Sequence, residues 1–300
     1  MEFTQKHMHR HRIIFFGSSK FVIPIIEVLA KNFSAKGGPA SGWDLALVVT
    51  TEKNPTDPVP SYCIRSKVRY YIVTDFRDKR LINDLVNAKA PIGVLASFGA
   101  IIPNEVLDLF PHGIINIHPS LLPKYRGSTP VQTAILNGDK TTGVTIIKLD
   151  EEVDRGPILT QVEEPIFEND TSESLHERLF RLGSSSIVRT IELYLKGKIR
   201  LREQNHAKAT FTKRLNRGDG YIDLQNPPKP EVLARMIRAY YPWPNVWTKV
   251  RIKNHESRIK FLPEKKIQVE GRRPMNYKDF INGYPNLSPV MLNLFQHLNS

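Results

Sequence analysis

Short apolar runs alternate with stretches of helical spacing through the first two thirds of the chain, and this alternation sets the expected architecture. Residues 12–17 (RIIFFG) read as a buried strand, 18–20 as a tight turn, and 21–31 as a helix with apolar positions three and four apart. Further strands are expected at 45–50 (LALVVT), 70–74, 92–97, 114–118 and 143–149 (GVTIIKL). Helices are expected at 78–86, 106–110, 131–136 with a C-cap at Asn137 and Gly138, and 173–194 with Thr171 or Ser172 as its cap. Strands alternating with helices predict an α/β domain with a mostly parallel sheet. The segment 51–62, rich in Pro, Asp and Asn, reads as a loop.

Beyond residue 197 the pattern becomes polar, and a second domain is expected to begin before residue 208. A helix at 230–239 and strand-like alternation at 248–253 and 265–269 provide too few strands for a full barrel, so a small and truncated β-rich domain is expected. The predicted division is a leader at 1–11, a first domain at 12–204, a second at 205–285 and a tail at 286–300.

Composition narrows the class. A chain of 300 residues, 40% hydrophobic and 24% charged, can bury a sizeable core. No apolar run reaches the roughly 18 residues of a membrane span, and the first residues, MEFTQKHMHRHR, show no secretory apolar region. With a single cysteine, Cys63, internal disulfides are excluded and a reducing, cytoplasmic setting is expected. The net charge of +13 is uneven: residues 205–300 carry 17 basic and 7 acidic side chains, a balance of +10, leaving +3 for the rest. Such a basic module suits either a polyanion, nucleic acid being the commonest, or a solubilising surface.

The candidate chemistry centres on residues 114–127, IINIHPSLLPKYRG. Residues two apart on a strand share a face, so Asn116 and His118 project together, and Pro119 ends the strand where open α/β sheets place ligands. The strand at 143–149 delivers an acidic loop with Asp150, Glu151, Glu152 and Asp154. A single glycine in the first turn and the absence of a Gly-Lys-Ser pattern argue against NAD and ATP. Ser120 lacks a nucleophile elbow, so a serine hydrolase is set aside. His7, His9 and His11 could chelate a stray ion, but no metal is assigned.

The segment HPSLLPKYRGSTPVQTAILNGDKTTGVTI, continuing through LDEEVDRGPIL to residue 159, resembles the formyltransferases that use 10-formyltetrahydrofolate. The resemblance implies a Rossmann-like formyltransferase fold and formyl transfer from that co-substrate to an amine. It makes Asn116, His118 and Asp154 catalytic, and Phe98, Ser120, Leu121, Leu122, Pro123 and Asp150 folate-contacting, with Lys124 and Arg126 facing either a phosphate or solvent. The first turn, Ser18-Ser19-Lys20, and the weakly basic loop after Thr50 depart from the family pattern. The segments 209–224, 230–239 and 242–250 resemble the branch acting on initiator methionyl-tRNA, with Lys213, Asp223, Arg238, Pro242, Trp243, Pro244 and Trp247 at its marked positions. In that branch the C-terminal region is a small oligonucleotide-binding barrel; here Trp243 and Trp247 read as packing residues. A small amine acceptor, such as an amino sugar or glycinamide ribonucleotide, and a non-catalytic nucleic-acid-binding protein are the competing readings.

Overall fold

The computed structural model describes residues 11–32, 43–252 and 255–285; the expected tail and nearly all of the expected leader lie outside them. In chain order the first elements are β1 (His11–Gly17), α1 (Ile23–Asn32), β2 (Trp43–Thr50), α2 (Pro58–Ser66), β3 (Tyr70–Ile72), α3 (Lys79–Ala88), β4 (Ile92–Ala96), α4 (Asn104–Leu107) and β5 (Ile114–His118). There follow α5 (Pro130–Asn137), β6 (Thr141–Lys148), β7 (Ile158–Pro165), α6 (Ser172–Leu195) and α7 (Pro230–Ala239). The chain continues with β8 (Val246–Ile252), β9 (His255–Leu262), β10 (Lys266–Val269), β11 (Met275–Asn276) and α8 (Tyr277–Gly283).

Seven strands form one sheet in the order β3-β2-β1-β4-β5-β6-β7. Strands β1 to β5 run parallel, and β6 is antiparallel to β5. After β3 the chain returns to lay β4 on the other side of β1. This reversal is the switch point at which open α/β sheets hold ligands, beyond the carboxyl ends of the strands. The central strands are covered on both faces, which is why their sequences are continuous apolar runs rather than alternating ones. Ile13, Ile14, Phe15 and Phe16 are fully buried, and all five residues of β5 are buried. Cys63 is buried in α2, and burial pushes its thiol up to about 12.

Two compact units divide the chain: Met1–Arg126 with Gly143–Glu164 and Glu177–Thr210, and Gly127–Thr142 with Pro165–His176 and Phe211–Ser300. Within the second, β8 to β11 form a four-stranded sheet in the order β11-β10-β9-β8, antiparallel wherever register is defined.

Several elements differ from the sequence expectation, each for a local reason. The loop after Thr50 is shorter than expected because α2 begins at Pro58, whose fixed φ suits a first helical position. A 3-10 turn at Lys20–Val22 delays α1 to Ile23. Strand β7 escapes pattern reading because it lies at the sheet edge and only its first two residues are buried. Strand β9 opens on two exposed polar residues, His255 and Glu256, followed by the half-buried Ser257, which masks its later alternation. Thr171, rather than Ser172, caps α6: its Oγ1 accepts from the Ser174 N–H at 3.1 Å, and the Ser174 Oγ accepts from the Thr171 N–H at 3.0 Å.

Helix α6 packs directly on β5. A Cβ placed at Gly183 would lie 2.7 Å from Ile117 Cγ2, so the absent side chain sets how closely the helix approaches the strand. Alanine would gain about 1 kcal/mol of helix propensity, whereas forcing a methyl into this contact costs about 1–3 kcal/mol. Gly183→Ala is therefore expected to lower the urea midpoint, and an unchanged or higher midpoint would show that α6 has room to shift.

On the same helix, the Nδ1–H of His176 donates to the Ser172 carbonyl at 2.7 Å, and burial pushes the imidazole down to about 4. Above the ordinary value near 6.5 both the folded and unfolded chains hold it neutral. Below that only the unfolded chain takes up the proton, so this contribution to stability is lost between about pH 6.5 and 4 and then levels off. The loss is at most about 3 kcal/mol. Urea titrations across this range should show a shallower acid decline for His176→Gln than for the parent.

Candidate functional site

Asn116 and His118 occupy alternate positions near the carboxyl end of β5 and are 6% and 4% exposed. Both meet the turn beyond β6. Asn116 Nδ2 donates to Asp154 Oδ1 at 3.1 Å, and His118 Nδ1 lies 3.4 Å from the same oxygen. Asp154 is buried at 8% exposure and has a left-handed backbone, φ 52°, a conformation that aspartate enters more readily than most residues with a Cβ. The three side chains expected from sequence thus converge on one carboxylate oxygen.

The other face of the imidazole settles its tautomer. His118 Nε2 is 3.0 Å from the Tyr125 carbonyl, which can only accept, so Nε2 carries a hydrogen. Nδ1 is then the nitrogen that can gain or lose a proton, and it faces Asp154. Tyr125 also has a left-handed backbone, φ 63°, and its N–H donates to Thr210 Oγ1 at 2.8 Å.

The segment after His118 is bound tightly into the wall of the site. Ser120 is fully buried; its Oγ donates to the Lys124 carbonyl at 2.6 Å, and its own carbonyl accepts from Thr145 Oγ1 at 2.6 Å. Leu122 packs with Ile147 and Ile158, its N–H donates to Thr145 Oγ1, and its carbonyl accepts from Gln161 Nε2. Only Leu121 and Pro123 of these four keep partial exposure.

Phe98 is engaged elsewhere: its ring sits edge-on to Phe16 and Phe76 in the core, and its carbonyl accepts from Thr51 Oγ1 at 3.0 Å. The following residues, Gly99 to Ile101, are exposed. Asp150 is exposed and accepts the Glu152 N–H at 3.0 Å. Lys124 faces solvent, whereas Arg126 is turned inward, 4% exposed, on Gln204 and His206. Burial, with Arg155 nearby, pushes the Arg126 guanidinium below its ordinary value.

Tyr125, Thr145, Gln161, Gln204 and Thr210 complete the site and were not expected from sequence. Thr145 carried a signal, a hydroxyl inside the apolar run GVTIIKL; Gln204 and Thr210 lie in a polar segment with none. Among the described residues no group of three or more His, Cys, Asp or Glu could hold a metal ion, and no helix is long and apolar enough to cross a membrane. His7 and His9 lie outside the described residues.

Residues 12–191 match the formyl transferase family model. The chain is 38% identical over 245 residues to a methionyl-tRNA formyltransferase of Roseiflexus sp. (strain RS-1), covering 79% of this chain and 72% of that one. It is 33% identical to the methionyl-tRNA formyltransferase of Koribacter versatilis (strain Ellin345), over 91% of this chain and 96% of the relative. Among solved structures, a sugar N-formyltransferase from Shewanella sp. FDAARGOS_354 superposes with a TM-score of 0.63 at 22% identity, over 85% of this chain and 99% of that one. A phosphoribosylglycinamide formyltransferase from Anaplasma phagocytophilum gives 0.55 at 24% identity, over 68% and 99%.

Gly156 closes the turn that carries Asp154, and a Cβ there would lie 1.8 Å from the Lys148 carbonyl oxygen. Backbone cannot yield as a flexible side chain can. Gly156→Ala should therefore displace the turn and lower activity at least about tenfold while the β5 to α6 core stays folded, as read by circular dichroism beside turnover. Full turnover in this variant would show that the turn's position is not critical.

Proposed function

Because this chain belongs to the formyl transferase family, we propose that it transfers a formyl group from 10-formyltetrahydrofolate to the amino group of methionyl-initiator-tRNA. The observation that supports this chemistry most is the single Asp154 oxygen shared by Asn116 and His118.

The residues present suit such a donor. The part-exposed Leu121 and Pro123 offer apolar surface to a flat ring, and Gly99 to Ile101 are exposed beyond the carboxyl end of β4. The donor, when bound, supplies the one-carbon unit as an activated amide. The chain's own residues then meet three demands. Asn116 Nδ2 has a second hydrogen beyond the one given to Asp154, and can donate it to the formyl oxygen as negative charge builds there. A preorganised donor of this kind contributes about 3–4 kcal/mol. The neutral amine attacks the formyl carbon; Asp154 can accept the proton its nitrogen must lose once that bond forms, and His118 Nδ1 lies beside it to hold that proton and return it to the departing nitrogen as its bond to the formyl carbon breaks.

The acceptor is inferred from the relatives and from the C-terminal sheet. Trp247, Lys249 and Arg251 alternate along β8 and pair across the strand with Lys260, Arg258 and Glu256. Their neighbours Val246, Thr248 and Val250 point to the buried face, so the basic side chains share the outer one. There Arg258 lies 5.0 Å over the Trp247 ring, and Tyr221 packs against the same indole. Trp243, expected to be packed away, is 54% exposed, since the prolines beside it do not cover its ring. A cationic, aromatic-bearing sheet face suits a nucleic acid. We further propose that residues 12–204, braced by the segment that runs on to Thr210, carry the chemistry and that the remainder of 205–285 contacts the acceptor.

Purified protein given 10-formyltetrahydrofolate should formylate methionyl-initiator-tRNA in preference to glycinamide ribonucleotide or a nucleotide-linked amino sugar. His118→Ala should lower kcat roughly 100-fold or more, and, because Lys249 is already paired with Glu256 at 2.6 Å, Lys260→Ala is the change that should reduce the salt dependence of tRNA binding by about one ion. Turnover of the amino sugar alone would overturn the acceptor, and full activity of His118→Ala would overturn the proton-transfer role.

A further inference from the structure

A second set of buried groups stands behind the three side chains, and its geometry depends on one amide. Gln204 is 5% exposed. Its Nε2 donates to the carbonyls of Asp154 and Gly156, both at 2.8 Å, and its Oε1 accepts from Arg126 Nε at 3.2 Å and Nη2 at 2.8 Å. We propose that Gln204, oriented by Arg126, is a positioning residue that holds the Asp154 carboxylate against His118. This inference deepens the function proposed above and rests on it for its catalytic consequence.

An amide side chain can point either way in a pocket, and here only one way works. A guanidinium is a donor only, so Oε1 must face Arg126 and both Nε2 hydrogens must face the Asp154 and Gly156 carbonyls. Arg126 is fixed in turn, since its Nη2 also meets His206 Nδ1 at 2.9 Å. The two carbonyls flank Arg155, so one amide fixes the turn on either side of it.

The turn needs such a hold. The left-handed conformation of Asp154 costs on the order of 1–3 kcal/mol and persists only where the surroundings over-determine it. Of the four carboxylates within five residues, Asp150, Glu151, Glu152 and Asp154, Glu152 pairs with Arg155, and the repulsion among the others favours a more open loop. A neutral donor to backbone oxygens can restrain the turn without engaging the carboxylate itself, leaving Asp154 Oδ1 to Asn116 and His118.

The same chain segment braces the other side of the imidazole. Thr210 accepts the Tyr125 N–H with Oγ1 and the Arg126 N–H with its carbonyl, each at 2.8 Å, and Tyr125 presents its carbonyl to His118 Nε2. Gln204 to Thr210 therefore reaches the backbone behind both ring nitrogens.

Gln204→Met keeps length and volume but removes both donors; Gln204→Glu keeps an oxygen for Arg126 and sets an acceptor against two carbonyls. Either should lower kcat roughly 10- to 100-fold, since displacement of about 1 Å at a reacting group can cost that much, with KM for both substrates within about threefold. The discriminating readout is the NMR titration of the His118 imidazole. In Gln204→Met it should move toward the curve of Asp154→Asn, and Gln204→Met with Asp154→Asn should lose no more activity than Asp154→Asn alone. An unchanged His118 titration, or fully additive losses, would overturn the positioning role. The titration reports on Asp154 even if the chain formylates none of the acceptors, so the two proposals can fail separately. If Gln204→Met does not fold, Arg126→Lys, which keeps the charge but not the two-point hold on Oε1, should give the same displacement of the His118 curve, and a parent-like curve there would count against the proposal.

Discussion

One carboxylate oxygen organises this protein. Asp154 Oδ1 accepts from the Asn116 amide and lies beside His118 Nδ1, and most of the first unit can be understood as what is required to keep it there. Strand β5 is buried along its whole length, which fixes the two side chains that meet the oxygen. Strand β6 runs antiparallel beside it and delivers the turn that carries the carboxylate back over β5. Burial sharpens the arrangement: three polar groups removed from water must satisfy one another, and leaving any of them without a partner costs about 1–3 kcal/mol.

Much of this was legible in the sequence because it follows from periodicity. An apolar run interrupted at alternate positions by Asn116 and His118 places both on one face whatever the surroundings, and Pro119 marks the end of the strand. The parallel sheet was equally visible, since strands covered on both faces must be apolar throughout. What could not be read was whatever depends on edges and on long-range partners. β7 and β9 carry polar residues wherever they face water, and the two-residue β11 has no period at all. Gln204 acts on a turn about fifty residues away through hydrogen bonds to backbone, which leave no trace in local composition.

The expected folate-contacting residues show a related limit. The side chains of Ser120, Leu122 and Phe98 are committed to the interior, whereas Leu121 and Pro123 keep partial exposure. A motif can mark a location without distinguishing the residues that touch a ligand from those that support them. The basic C-terminal charge illustrates the converse, since the sharing of one sheet face by Lys249, Arg251, Arg258 and Lys260 becomes visible only once β8 and β9 are paired in register.

The hydrogen bond between His118 Nε2 and the Tyr125 carbonyl limits how the imidazole can be used. A histidine open at both nitrogens can pass a proton through the ring, taking it in on one edge and releasing it from the other. Here one edge is closed by a main-chain acceptor, so the ring has a single port. Whatever proton arrives at Nδ1 must leave from Nδ1, so any traffic through this ring enters and departs on the side that faces Asp154.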